Sequence, residues 1–305
     1  MTDTVVAAAV GELVRIPAQT LLQGDDGDPE EGPVREVSVD AFRIQRHQVT
    51  NAEFAAFVAA TGYRTVAERE LDPTRYPGAP EANLQPGSMV FRRTTGPVDL
   101  HDMSQWWRWM PGACWNHPRG PRSGLLGCDH HPVVHVAYED ATAYAAWAGL
   151  RLPTEAQWET AARAGLPHTR FTWGDAPERP GQHLANYWHG EFPYLPDTGY
   201  GRTTPVGSFA PNAYGLYDMA GNVWEWTSDL YGPTRTNHPC CAADTFDPRQ
   251  PQVAIERRVL KGGSFLCADT YCLRYRPAAR RPHMVDTGMS HIGFRCISDD
   301  DPVRL

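Results

Sequence analysis

Asn212-Ala213-Tyr214-Gly215-Leu216-Tyr217-Asp218-Met219-Ala220-Gly221-Asn222-Val223-Trp224-Glu225-Trp226 ends in a turn followed by a strand. Gly221-Asn222 is a turn signal, and the Trp-Glu-Trp run after it reads as a buried strand over residues 223–227. Outward from it, residues 204–209, 259–266 and 292–297 read as further short strands separated by turns. Toward the N-terminus, residues 34–44 alternate in places like a strand, with Val37, Val39, Phe42 and Ile44 apolar. Thr50 and Glu53 form a capping box, after which Phe54, Phe57 and Val58 recur at helical spacing until Gly62. Residues 133–136 read as a short strand and 138–148 as an Ala-rich helix ending at Gly149. A second capping box, Thr154 with Gln157, opens a helix through Ala164 that Gly165 stops. Residues 72–127 lack periodicity and read as long ordered loops held by Trp106, Trp107, Trp109 and Trp115. No linker or repeat divides residues 1–305, so the sequence predicts a single irregular α+β domain with little regular secondary structure.

Composition narrows the function. Lys plus Arg total 28 against 36 Asp plus Glu, a formal charge of −8 without a basic stripe, which argues against a nucleic-acid or anionic-membrane binder. The 27 glycines, 27 prolines and 10 tryptophans fit a turn-rich body pinned by large aromatic side chains. The apolar run at residues 5–10 is too short, and lacks the basic flank, for a signal peptide, and no stretch approaches the roughly 20 residues that span a bilayer. Seven cysteines at irregular spacing (Cys114, Cys128, Cys240, Cys241, Cys267, Cys272 and Cys296) fit reduced thiols better than a secreted disulfide framework. A soluble, cytoplasmic protein is expected.

The stretch Gly262-Gly263-Ser264-Phe265-Leu266-Cys267-Ala268-Asp269-Thr270-Tyr271-Cys272 carries the chemistry. Four intervening residues are too many for a structural zinc knuckle. Positions five apart face opposite ways on a strand, so the sulfurs meet only if the segment turns, which the double glycine favours. Spacing alone leaves open a redox-sensitive or merely buried thiol pair. A thiol-disulfide oxidoreductase is disfavoured, because that chemistry usually places two residues between its cysteines near a helix start. Histidines at 130, 131 and 135 read as packing and hydrogen bonding, since Pro132 and Val133-Val134 argue against a helix that would align two of them.

Further blocks are Val49-Thr50-Asn51-Ala52-Glu53-Phe54, His131-Pro132-Val133-Val134-His135-Val136, and Arg151-Leu152-Pro153-Thr154-Glu155-Ala156-Gln157-Trp158-Glu159. Ala185-Asn186-Tyr187-Trp188-His189-Gly190-Glu191-Phe192-Pro193 and Ile292-Gly293-Phe294-Arg295-Cys296 complete the set. With them the chain resembles the formylglycine-generating enzymes, also called sulfatase-modifying factors, whose fold resembles that of C-type lectins. The resemblance implies a bacterial, aerobic oxidase that converts the cysteine of a Cys-x-Pro-x-Arg segment in an unfolded sulfatase to formylglycine, using dioxygen and a reductant. It implies copper(I) on Cys267 and Cys272, in keeping with the preference of soft thiolates for that ion, and a Ser264 hydroxyl that orients reactants.

The same resemblance implies structural calcium at Asp218, Gly221, Val223 and Glu225, and a second calcium at Asn186, Tyr187, Asp197 and Tyr200. Without it, Gly221-Asn222 is simply the turn already described. Trp224 and His291 are candidates for lining a peptide groove; His291 stands where some relatives are expected to carry asparagine. Ala162 and Pro277 occupy positions where secreted animal members are expected to carry disulfide partners, leaving Cys296 without a mate. Cys240-Cys241 is extra to the pattern. The alternative function is a non-catalytic peptide- or ligand-binding module of the same fold.

Overall fold

A computed structural model describes residues 10–178, 181–232 and 254–300; the Cys240-Cys241 pair lies outside them. The Gly221-Asn222 turn organises the centre. Gly221 takes a φ of 76°, and a Cβ there would sit 2.2 Å from the Asn186 carbonyl oxygen, so only glycine permits the approach. Asn222 follows at a φ of 62°, and its Oδ1 accepts from Asn186 Nδ2 at 3.2 Å and from the Thr204 amide at 3.1 Å. Two distant segments are thereby fastened to the start of the strand that follows.

Strands β1 (Leu13–Ile16), β2 (Gln19–Gln23), β3 (Arg35–Val39) and β4 (Phe42–Gln45) precede helix α1 (Asn51–Thr61). Strands β5 (Gly87–Phe91) and β6 (Trp107–Pro111) then form a hairpin, followed by helices α2 (Tyr138–Trp147) and α3 (Glu155–Arg163). The rest is strand and turn: β7 (Gly190–Glu191), β8 (Leu195–Pro196), β9 (Trp224–Leu230), β10 (Arg257–Lys261), β11 (Arg280–Met284), β12 (Ile292–Gly293) and β13 (Ile297–Asp299). A four-stranded sheet runs β11-β10-β9-β12, with β12 parallel to β9, and an antiparallel sheet runs β1-β4-β13. No helix among the described residues is long and apolar enough to cross a membrane.

Both sequence-read capping boxes are present. Thr50 accepts from the Glu53 amide while the Glu53 carboxylate accepts from the Thr50 amide, and Thr154 and Gln157 do the same. Such a cap is worth about 1 kcal/mol. Gly62 ends α1 in the left-handed conformation; α3 instead ends on Ala164, which takes that conformation itself one residue before Gly165. The main core packs Phe54 and Phe57 of α1 against Tyr144 of α2, with Phe54 also against Trp115 and Phe294, all buried. Each such ring contributes roughly 1.5–3 kcal/mol of burial.

Several expected strands differ. Residues 34–44 split into β3 and β4, which join different sheets. Residues 204–209 form no strand, because Pro205 has no amide hydrogen and the neighbouring amides go elsewhere: Val206 to the His130 carbonyl and Gly207 to the Asp218 carboxylate. The strand expected over 259–266 stops at Lys261, where Gly262 and Gly263 turn to φ values of 93° and 72°. Residues 292–297 divide into β12 and β13, one for each larger sheet. Residues 133–136 are not a strand, since His135 adopts a φ of 61°. The loop region 72–127 contains the β5-β6 hairpin, whose registered faces the tryptophan-rich sequence did not reveal.

Candidate active site

The cysteine segment leaves β10 through the double glycine and returns beside it. A Cβ on Gly263 would lie 2.8 Å from both the Arg274 carbonyl oxygen and Tyr275 Cα, so this glycine lets residues 274–275 close the base of the loop. Ser264 shapes the first turn: its carbonyl accepts from the Cys267 amide at 2.9 Å and its hydroxyl oxygen from the Leu266 amide at 3.3 Å. Ala268 shapes the second, its carbonyl accepting from the Tyr271 and Cys272 amides. Two successive turns bring residues five apart together, with Cys267 Sγ and Cys272 Sγ 3.4 Å apart and both thiols free.

The two sulfurs are electrostatically unequal. Burial pushes the Cys267 thiol up, reinforced by its neighbour. The hydrogen bond from Cys267 holds Cys272 below the ordinary thiol range, against the cost of burial, and the positive charges of Arg281 and Arg274 act in the same direction. The pair therefore loses its first proton most readily from Cys272. Two soft sulfurs side by side, one of them readily ionised, suit copper(I), so the donor set fits the ion that the resemblance implies.

An aromatic wall backs the loop. Tyr271 stacks on Phe192 with centroids 4.7 Å apart and meets Trp106 edge-on at 5.7 Å, while the Trp188 amide donates to the Cys267 carbonyl. Phe91, 5.7 Å from Trp188, carries the wall to a cavity of about 580 Å³ lined also by Arg92, Arg93 and Arg119. That basic lining suits carboxylates and not the arginine of a peptide. Trp224 is 2% exposed and packs in the same core cluster as Cys267. His291 is also buried, 4.8 Å from the Trp107 ring, with an unpartnered Nδ1; burial drives its pKa well down and keeps it neutral. His135 spends both ring nitrogens on Ser88 and the Pro118 carbonyl, and His131 Nδ1 meets Thr203, in keeping with packing roles.

The two implied calcium sets differ. Both oxygens of the Glu225 carboxylate are filled: Arg295 Nη2 and Gln48 Nε2 donate to Oε1 at 2.9 and 3.0 Å, and Arg295 Nε and Trp158 Nε1 to Oε2 at 2.8 and 2.7 Å. A cation on Glu225 would have to take the place of at least one of these donors, and the neutral Gln48 amide on Oε1 is the one that yields at least cost, so Asp218, Gly221, Val223 and Glu225 could hold calcium only with that rearrangement. Asn186 is different. Its Nδ2 donates to the Arg202 carbonyl at 2.9 Å, while its Oδ1 is buried without a partner, an oxygen suited to a hard cation. The Tyr187 carbonyl is adjacent in sequence, and Asp197 is exposed with Tyr200 half-buried near it.

The model of a sulfatase-modifying factor enzyme 1-like domain matches residues 2–300. The chain belongs to the sulfatase-modifying factor family. Its relatives include the formylglycine-generating enzyme of Mycobacterium tuberculosis (strain ATCC 25618 / H37Rv), 53% identical over 299 residues, covering 94% of this chain and 98% of the relative. The formylglycine-generating enzyme of Thermomonospora curvata is 46% identical over 297 residues, covering 94% of this chain and 93% of the relative. Among solved structures, PvdO from Pseudomonas aeruginosa superposes with a TM-score of 0.63 at 26% identity over 95% of each chain. The fold is thus the irregular α+β fold of the sulfatase-modifying factor family.

Within this sulfatase-modifying factor domain, sequence reasoning missed Arg281. It stands on β11, outside the cysteine segment, and no spacing rule connects the two. Tyr275 was also missed: its hydroxyl donates to Asp269 at 2.5 Å and braces the loop from within. The aromatic and basic composition around the cysteines was the available signal.

Proposed function

We propose that this protein is a copper-dependent formylglycine-generating oxidoreductase acting on the cysteine of a Cys-x-Pro-x-Arg segment in an unfolded sulfatase. The observation that carries the reading is the free Cys267-Cys272 pair at 3.4 Å, Cys267 buried and Cys272 half-buried, in a chain whose family match runs almost end to end. The substrate carbon changes from CH2–SH to an aldehyde. With one dioxygen, two electrons and two protons, the balanced products are aldehyde, hydrogen sulfide and water, so an external reductant is required.

Bound at Cys267 and Cys272, copper(I) would supply one-electron chemistry toward dioxygen. The chain's own groups do the rest. The Cys267 hydrogen bond, helped by Arg281 and Arg274, makes Cys272 easier to ionise, and the two guanidiniums favour a further thiolate from substrate. Ser264, fully buried at the first turn, fixes Cys267 through its carbonyl, and its hydroxyl would orient a polar reactant. Burial keeps water from the Cys267 sulfur, while half-buried Cys272 stays open to an incoming substrate. Calcium bound through Asn186, Tyr187, Asp197 and Tyr200 would support the neighbouring segment, and a reducing, cytoplasmic setting would keep the thiols available.

The test is incubation of the purified protein with a Cys-x-Pro-x-Arg peptide, copper, oxygen and a thiol reductant, followed by mass spectrometry. Loss of sulfur with gain of an aldehyde is expected. An unmodified peptide that nevertheless binds would favour a binding module and overturn the proposal.

A further inference from the structure

Glu178, His183 and His189 converge apart from the cysteine pair, and none of the chemistry above uses them. One potential ligand atom from each lies within 4.8 Å of the others. His183 and His189 meet ring to ring with centroids 3.9 Å apart, and His183 Nδ1 is 3.7 Å from Glu178 Oε2. The surrounding hydrogen bonds orient these groups. His189 Nε2 lies 3.3 Å from the Ala185 carbonyl; donating its hydrogen there leaves the lone pair on Nδ1. Glu178 accepts the Leu184 amide on one oxygen at 2.6 Å and the Tyr187 hydroxyl on the other at 2.8 Å, which fixes the carboxylate and leaves each oxygen further accepting capacity.

We propose that Glu178, His183 and His189 form a second metal site, for a divalent transition-metal ion of the zinc class. Two imidazoles and a carboxylate are the ligands of such ions, whereas calcium takes oxygen alone, so the site differs in kind from the Asn186 oxygen set. Exposed His183 leaves an entry path and is free to move inward, closing the ligand atoms to the separations of about 3.3 Å that metal–nitrogen bonds of about 2.0 Å require in a tetrahedral shell. Solvent takes the fourth position. Occupancy would stiffen the active-site wall, because Tyr187 stacks on Tyr275 at 4.0 Å and Tyr275 braces the cysteine loop through Asp269.

The experiment titrates Zn2+ into metal-stripped full-length protein carrying Cys267→Ser and Cys272→Ser, so that the thiol pair does not compete. X-ray absorption reads the ligand shell and thermal melting reads the stabilisation. One zinc per chain is expected in a nitrogen and oxygen shell with imidazole scattering, together with a higher Tm. His183→Ala, an exposed change that leaves the fold intact, should weaken zinc by about 100-fold or more, at or beyond the loss seen for outer-shell partners, and abolish the rise in Tm. His189→Ala and Glu178→Gln should each do the same in part or whole. A shell dominated by sulfur, no retained zinc, or an unchanged affinity in His183→Ala would overturn the proposal.

Discussion

Cys272 owes its acidity to groups drawn from three places: Cys267 across the turn, Arg274 just beyond it, and Arg281 on β11. Replacing Arg281 with Gln removes a full positive charge and keeps a polar side chain of similar reach. The pH midpoint for alkylation of Cys272, followed by peptide-resolved mass spectrometry, should therefore move upward. An unmoved midpoint would remove Arg281 from the site's electrostatics. At this scale the sequence was legible in residue types, since two cysteines behind a double glycine announced a turn that joins them. It was silent on charge arriving from another strand, because electrostatic proximity across a sheet leaves no periodic trace. Glu225 shows a related limit: only the fold reveals that Arg295, seventy residues away, already pairs with its carboxylate.

Among the elements, helices were read well because their signals are local. The capping boxes at Thr50 and Thr154 and the glycine stop at Gly62 need only their immediate neighbours. Short strands failed where a turn chemistry or a side-chain partner intercepted the backbone, as at Pro205 and His135. The start of α2 carries a pH signature that the sequence did not suggest. Asp140 accepts from the Ala137 and Val66 amides while buried, and burial raises its pKa from 3.8 to about 7. A carboxyl with a raised native pKa holds its proton more firmly folded than unfolded. Its contribution to stability is therefore full below about pH 4 and lost as pH rises toward 7. Asp140→Asn should flatten the stability change across that window, measured by urea unfolding at about pH 5 and about pH 8. A slope equal to wild type would assign the pH dependence elsewhere.

For the whole molecule, the large loops are not filler. The Gly221-Asn222 turn, the Asn186 segment and the cysteine loop are joined directly: the Asn222 amide donates to Asn186, the Phe265 amide to Asn222, and the Gly221 amide to Gly262. Because these joins link every part of the site, disturbance at Asn186 should reach the cysteine loop. Calcium removal with a selective chelator should lower Tm in wild type and leave Asn186→Ala, already destabilised, unchanged by chelation; equal chelator effects in both would move calcium away from Asn186.

The central claim is that Cys267 and Cys272 together carry out the conversion of a substrate cysteine to formylglycine. The most direct measurement is the aldehyde yield from a Cys-x-Pro-x-Arg peptide, compared by mass spectrometry among wild type, Cys267→Ser and Cys272→Ser under identical copper, oxygen and reductant. The account predicts product from wild type and a severe loss in each single variant, with circular dichroism and Tm showing an intact fold. Full turnover in either variant would contradict it.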